Sequence, residues 1–574
     1  MSIIDLNVGP PIGSTLRPLR GRLGAVALIM IAPLLTGCGL ISLDIEGRGE
    51  RIVEYEDAAL PPATLGQRRF IFDDMGGLST KTLNRFAVPW KLTATALVLD
   101  AAAREGGPVR RAAIAPLLQS YGFIIPDTIA NWRGPGPAPT FELPIGLITG
   151  TLEIGFPAFE LEVANIGCAA CHGGVLYDRD GEPQRAVWAG LPNSSLNLEG
   201  YVQAVYRALK LAMVQPDEQL ATMARLFPEM SATELETYRD HIVPRVARRL
   251  AALTADNDRP LPFDNGASGL TNGVASLKAQ LELLHGEALD RDFGFTSIPD
   301  IGGTMLRSSL LVDGFYAPHG APRQRPRWLD RVDAGQRDRL ARIVAFFTVP
   351  AFGISPETAA AAMGRVRDVI DFVADYRPPP FPAPIDLDRA ARGRRVYAAH
   401  CAGCHGDYAN GPGGLELVQF PNRLVDLAEI GSDAARVRAA TPTIATAIAR
   451  TPFGPHIDAR SGSGYVATPL TGLWASAPYL HNGSVPTLWH LMHPAERPRA
   501  FEVGGHRLDF ARVGIAGADG ADGVMRHPAD HRPWARPTLY DTTTTGRGNG
   551  GHTAEFIGLS EAEKTDLIEF LKYL

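Results

Sequence analysis

Cysteine is scarce in this chain, and four of its five cysteines fall in two copies of one pattern. Cys168-Ala-Ala-Cys171-His172 is the first copy and Cys401-Ala-Gly-Cys404-His405 the second. Two thiols three positions apart, followed at once by an imidazole, form the attachment pentad of a c-type haem. The thiols add across the porphyrin vinyl groups as thioethers, and the imidazole binds iron from the proximal side. A zinc site would need a second thiol pair or two histidines nearby, whereas the pentads stand 233 positions apart (405 minus 172). A redox dithiol would sit in a βαβ pattern, which neither pentad shows. The pattern predicts two covalent haems c, anchored by Cys168, Cys171, Cys401 and Cys404. His172 and His405 are then the proximal iron ligands.

The fifth cysteine bears on location. Arg17, Arg20 and Arg22 precede an apolar run, Leu23 to Leu35, that ends in Leu35-Thr36-Gly37-Cys38. A charged flank, a short apolar stretch and small residues before a cut are the parts of a secretory signal. The run is too short for a spanning helix. It resembles the lipobox of bacterial lipoproteins, which implies removal of residues 1–37 and lipidation of Cys38; an ordinary signal peptide with a chance cysteine is the alternative. Gly39, in place of an acidic residue, is similar to the outer-membrane default of that sorting rule. The expectation is an exported, outer-membrane lipoprotein facing the periplasm, touching the membrane through its lipid alone. Export suits c-type haem, which is attached outside the bacterial cytoplasm, and the absence of disulfides follows because the remaining cysteines are committed to haem.

The 574 residues, 45% apolar and 21% charged, describe a globular chain of two to four domains. A net charge of −6 and a pI near 6.2 argue against nucleic-acid binding. Periodicity predicts a mainly α fold with long loops, rich in its 60 glycines and 46 prolines, and one short strand at Arg51 to Tyr55. Two cytochrome c-like haem domains are expected, the N-terminal one enlarged. The expected segments are a signal peptide (1–37), a tether and extension (38–84), an N-terminal haem domain with an insertion (85–376), a Pro-rich linker (377–387) and a C-terminal cytochrome c domain (388–574). Ser231-Ala-Thr-Glu234 predicts a capped helix start, with Pro244 kinking that helix midway. A helix from Ala334 to Phe347 should stop before Pro350 and close the first haem domain. Ser560-Glu-Ala-Glu563 should cap a last helix that buries Leu567, Ile568, Leu571 and Leu574. No further internal repeat is visible.

The second axial ligand of each iron decides function. A methionine or histidine closes the site for electron transfer, and an open position admits oxygen or peroxide. Twelve histidines lie outside the pentads, and most histidines in any chain are surface or core hydrogen-bonding groups.

Thr468-Pro-Leu-Thr-Gly-Leu-Trp-Ala-Ser-Ala-Pro-Tyr-Leu-His-Asn-Gly-Ser-Val-Pro-Thr-Leu488 resembles the core of bacterial di-haem cytochrome c peroxidases. It is still more similar to their relatives, the rubber-oxygenase-like di-haem cytochromes. Val344 to Pro356, Arg497 to Gly504 and Gly548-Asn-Gly-Gly-His552 resemble that second group too, so the likeness spans roughly residues 165 to 574. Peroxidases carry a distal methionine fourteen residues after the histidine of this segment, and here that position is Ala495. The resemblance implies instead a distal histidine on the C-terminal haem: His552 first, with His481 and then Met492 behind it. For the N-terminal haem it implies an open or weakly closed site, with His285, His319 and Met305 available. It also implies an aromatic distal pocket, for which Phe293, Phe295, Phe315, Tyr316 and Trp328 are at hand, though they serve equally as core aromatics. Trp474 would be a relay between haems, and the carbonyls of Ser476 and Pro478 would hold a calcium ion.

Two readings follow. In the first, the chain is an oxidoreductase of peroxidase or dioxygenase type. The N-terminal haem activates oxygen or peroxide, and the C-terminal haem relays electrons from a redox partner protein. Its substrate is a small oxidant or an unsaturated hydrophobic molecule. In the second, both irons are closed and the chain only carries electrons. The 162 residues between His172 and the helix at 334 (334 minus 172) exceed what a carrier needs and favour the enzyme.

Overall fold

The computed structural model describes residues 48–51, 60–73, 88–154, 159–254, 265–352, 355–411 and 414–574. The signal segment, Cys38 and the expected strand beyond Arg51 lie outside the described residues. Helix makes up 42% and strand 17%, so the fold is mixed rather than mainly α. Much of the strand content is antiparallel hairpin. Leu147–Ile154 pairs residue for residue with Phe159–Ile166, and Arg48–Arg51 adds to its edge. Alternation in Leu147–Ile154 is broken by buried Leu147 and Ile148 in succession, which hid its period from the sequence.

Seven helices organise the haem segments: α1 (Pro62–Phe72), α2 (Cys168–Cys171), α3 (Ala334–Phe352), α4 (Met363–Asp375), α5 (Leu387–His400), α6 (Ala402–His405) and α7 (Glu561–Leu571). α5 leads into the second pentad and is crossed by α7. The crossing is close because α5 carries Gly393: a Cβ there would lie 1.9 Å from the Asp566 carbonyl oxygen. Arg392 spans the same contact with two hydrogen bonds to the Asp566 carboxylate, 2.7 and 2.8 Å. Ser560 opens α7 with a complete capping box, and Leu567, Ile568, Leu571 and Leu574 are buried as expected.

α1 and α4 repeat that crossing in the first haem segment. Gly66 of α1 would put a Cβ 2.0 Å from the Asp368 carbonyl oxygen, and Arg69 reaches the Asp368 carboxylate at 2.6 Å. The closing helix is therefore α4, not the 334–347 helix expected to play that part. Its partner α1 comes from residues assigned to the N-terminal extension, upstream of the expected boundary at 85. α3 also differs from expectation, running through Pro350 to Phe352. Its buried face, Leu340, Ala341, Ile343, Ala345, Phe346 and Val349, outweighs the proline, and the Thr348 hydroxyl donates to the Ala345 carbonyl. The kink expected at Pro244 is absorbed by a π-turn, Tyr238–Ile242, just ahead of Val243–Thr254. Wider turns of this kind accommodate a missing N–H. Ser231 caps its helix as expected, but Glu234 pairs with Lys91 at 2.7 Å instead of closing the box.

Three apolar cores result. One gathers α1, α3 and α4 with residues 439–457. The second packs helices Trp90–Glu105, Leu198–Val214 and Val243–Thr254 against the long hairpin, and so absorbs much of the insertion after the first pentad. The third belongs to α7 and the C-terminal sheet, and takes in Leu270, Phe295 and Leu306 from ahead of α3. The connector after α4 is stitched down: Trp188 Nε1 donates to the Arg377 carbonyl at 2.9 Å and Trp474 Nε1 to that of Pro379 at 3.1 Å. No described helix is long and apolar enough to cross a membrane.

Candidate haem sites

Each pentad folds into a single helical turn, α2 from Cys168 or α6 starting just after Cys401. Each proximal imidazole is aimed by a backbone carbonyl. His172 Nδ1 donates to Pro299 O at 3.1 Å and His405 Nδ1 to Thr468 O at 2.7 Å. That bond fixes the tautomer and leaves Nε2 the nitrogen that could ligate a metal. Burial pushes both imidazoles down to about 4, so both are neutral, the form that binds metal.

The two carbonyls stand at the same point of a repeated loop. Gly303 and Gly472 take left-handed conformations (φ 68 and 69°), as do Leu311 and Leu480 (φ 69 and 67°) and Gly314 and Gly483 (φ 63 and 67°). Each pair is 169 residues apart (472 minus 303, 480 minus 311, 483 minus 314), as are Pro299 and Thr468 (468 minus 299). A 3-10 turn follows the first glycine in both copies, Thr304–Leu306 and Leu473–Ala475. The Ala-Pro-Tyr-Leu-His segment is thus the second copy of a device whose first copy is Ser308 to Val312. Side chains diverge too far for the repeat to have been visible; its signal was the spaced glycines. The two loops also touch, since a Cβ on Gly302 would meet the Thr471 side chain and one on Gly303 the Pro469 ring.

His552 lies opposite His405. Their ring centroids are 6.1 Å apart, with planes at 29°. Two imidazoles on opposite faces of one iron, each bonded at about 2.0 Å with its centroid about 1.1 Å further out, stand about 6.2 Å apart. The donor set therefore fits a bis-histidine haem. His552 is one of few non-glycine residues with positive φ, at 51°, a conformation costing about 1–3 kcal/mol that persists where function demands it. Arg497 holds the strained loop. Its guanidinium donates to the carbonyls of Asn549 and Gly551, at 2.5 and 2.9 Å, and to those of His490 and Leu491 behind them. Nothing in the Arg497 sequence context marked it for this role.

The other candidates fall elsewhere. His481 stacks on Tyr465 at 4.0 Å, with Nε2 buried and lacking a hydrogen-bond partner. Met492 is a core residue. His285 bonds the Ala447 carbonyl, His319 pairs with Asp458 at the surface, and Met305 is buried in the first core. Of the aromatics, Phe315 and Tyr316 join Phe346 and Phe347 in the core that also holds Ala169 and contacts Cys168. Phe293 and Phe295 pack on each other near the third core. Trp328 is 39% exposed under Arg331. Trp474 is buried against Phe381. Ser476 donates its hydroxyl to the Gly472 carbonyl, and among the described residues no cluster of three or more His, Cys, Asp or Glu could hold a metal ion.

A helix entering a Cys-x-x-Cys-His turn, crossed at a glycine by the last helix, with its imidazole held by a carbonyl, defines a cytochrome c domain. The C-terminal part of the chain is cytochrome c-like, which implies covalently bound haem c and a haem-based electron-transfer or redox function. Comparison with known proteins agrees: residues 388–457 match the family described as cytochrome C oxidase, cbb3-type, subunit III, and residues 464–502 match RoxA-like, cytochrome c-like. These matches support a relationship with the rubber-oxygenase-like di-haem cytochromes c. The chain is 32% identical over 237 residues to the uncharacterized protein y4iM of Sinorhizobium fredii (strain NBRC 101917 / NGR234), covering 36% of this chain and 52% of that one. It is 29% identical over 262 residues to the uncharacterized protein y4iJ of the same strain, covering 34% and 41%. The chain spans about half the length of the first relative and less of the second.

Proposed function

We propose that this protein is a di-haem c-type oxidoreductase whose two irons are unequal. The C-terminal haem, on Cys401, Cys404 and His405 with His552 across from it, is closed and relays electrons from a redox partner protein. The N-terminal haem, on Cys168, Cys171 and His172, activates oxygen or peroxide. The observation that carries this reading is the asymmetry of the proximal imidazoles. His552 stands 6.1 Å from His405, whereas among the described residues no second ring is placed so against His172.

When bound, haem supplies the redox chemistry. The chain's own part is to position it and to set its surroundings. Pro299 and Thr468 orient the imidazoles, while Phe315, Tyr316 and Phe346 supply a dry, apolar neighbourhood on the first side. Dryness suits an unsaturated hydrophobic substrate as well as peroxide. A calcium ion on the Ser476 and Pro478 carbonyls belongs to the same reading. So does a lipid anchor on Cys38 in the outer membrane, which predicts an acylated Cys38 as the first residue of the mature chain; mass spectrometry of Cys38→Ser, with an unlipidated N-terminus, checks it.

The deciding test is optical and EPR spectroscopy of the haem-loaded protein, oxidised, half-reduced and reduced, with carbon monoxide added to each. One haem per chain is expected to bind carbon monoxide in at least one state. Two low-spin irons that ignore it throughout would make the protein an electron carrier.

A further inference from the structure

A carboxylate sits where the two proximal loops meet. Asp300 follows Pro299, so the carbonyl that holds His172 belongs to the peptide bond into Asp300. The loop is tied to the histidine twice more through Gly190, whose N–H donates to the His172 carbonyl at 2.8 Å and whose carbonyl accepts from Ile301 at 3.3 Å. On its other side, Asp300 abuts the second loop: a Cβ on Gly472 would lie 2.6 Å from Asp300 Oδ2.

Asp300 lies deep in the fold although part of its surface stays accessible. The Tyr376 hydroxyl donates to Oδ2 and the Gly302 N–H to Oδ1, both at 2.6 Å. The other titratable group facing it is Tyr408. Among the described residues no cation contributes, and burial outweighs both hydrogen bonds, lifting the carboxyl to about 7. A carboxylate so placed is costly, whereas an asparagine could accept from Gly302 and donate its amide to the Tyr376 oxygen without the charge. Tyr376 also lines a cleft of about 270 Å³ with Met305, Thr471 and Trp474, which Arg377 and Lys572 border. The residue whose hydroxyl bonds the buried acid thus also lines a space large enough for water.

We infer that Asp300 is a redox-linked proton site: it takes up a proton when the haem held by His172 gains an electron. The inference rests on a haem at His172, and on neither catalysis nor an open iron. The step balances. A haem held by His172 would gain one electron from a haem held by His405, and the chain's own part would be to take up one proton. One proton from bulk solvent, relayed by water in the cleft, would pass to the Tyr376 oxygen while the Tyr376 proton moves to the Asp300 carboxylate, leaving water and tyrosine unchanged. The added electron disfavours a nearby negative charge, so reduction raises the affinity of Asp300 for its proton.

The sign of the pH effect follows. At acid pH Asp300 is protonated in both redox states and the midpoint potential is flat. As pH rises past the carboxyl's titration in the oxidised protein, reduction must recruit a proton and the potential falls. The reduced fraction at fixed potential then drops by up to tenfold per pH unit, which is about 59 mV for one electron.

The test is spectroelectrochemical titration of the full haem-loaded chain between pH 5 and 9. Haem content is measured first, so that loss of the first haem is distinguished from loss of coupling. The haem on His172 is expected to show the falling region, the haem on His405 a smaller one, and Asp300→Asn to flatten the first. Tyr376→Phe keeps the carboxyl but removes a bond that favours its charge, so the falling region should move to higher pH. A flat profile in the unaltered protein, or an unchanged slope in Asp300→Asn, would overturn the inference while leaving the carbon monoxide result untouched.

Discussion

Replacing His552 with alanine leaves the C-terminal iron with one protein ligand, and the expected spectrum is that of a low-spin haem turned high-spin. The variant should bind one more carbon monoxide per chain than the unaltered protein, and the signal of the haem on His172 should not move. The expectation rests on the proposed ligation and on the 6.1 Å between the His405 and His552 ring centroids, which matches two imidazoles sharing one iron. His552→Met keeps six-coordination and should raise the midpoint potential, since thioether ligation favours reduced iron and axial ligands command a span of about 0.8 V. His481→Ala and Met492→Leu discriminate between the candidates. Both should leave the C-terminal spectrum unchanged, because His481 is stacked on Tyr465 and Met492 is held in the core. A high-spin signal in His481→Ala with none in His552→Ala would reverse the ligand assignment.

The pentads were legible because haem attachment fixes residue types at fixed spacing, whereas His552 was reached through a resemblance, and what the structure adds is its place across from His405. The carbonyl partners were not legible. Any residue offers a carbonyl, so Pro299 and Thr468 carry no signature, and only the 3.1 and 2.7 Å contacts reveal them. Asp300 was passed over for a related reason: its importance lies in what surrounds it, and burial without a cation is invisible in a sequence. The helices were judged by local rules that packing overrode. Pro350 lies within a helix because the face ahead of it is buried in the first core, and Pro244 follows a turn that had already widened. α1 was missed because an eleven-residue helix with three polar side chains among its buried positions, Thr64, Arg69 and Gln67, the last donating to the Asn131 carbonyl, shows little amphipathic pattern. Its burial is specified by ion pairs and by Gly66 rather than by an apolar stripe.

That glycine supports the second large effect. Gly66→Ala and Gly393→Ala are each expected to destabilise the protein by about 3 kcal/mol or more, at the upper end of overpacking costs. Two terms of opposite sign compete. Alanine is the better helix former by about 1 kcal/mol, but the new methyl would lie 2.0 or 1.9 Å from the carbonyl oxygen of Asp368 or Asp566. Backbone oxygen cannot swing aside as a side chain can, so the crossing helix must shift as a body. Doing so also strains Arg69 to Asp368 in one pair and Arg392 to Asp566 in the other. Gly364→Ala is the control: it lies in α4, the partner helix of α1, with nothing within 4 Å of its added Cβ, and should be neutral or stabilising by up to about 1 kcal/mol. Thermal unfolding followed at each haem separates the sites. Gly393→Ala should lower the midpoint seen at the C-terminal haem, and Gly66→Ala that seen at the N-terminal one. If both glycines tolerate alanine as Gly364 does, the two haem segments do not close by the same helix crossing. The repeat would then end at the loops.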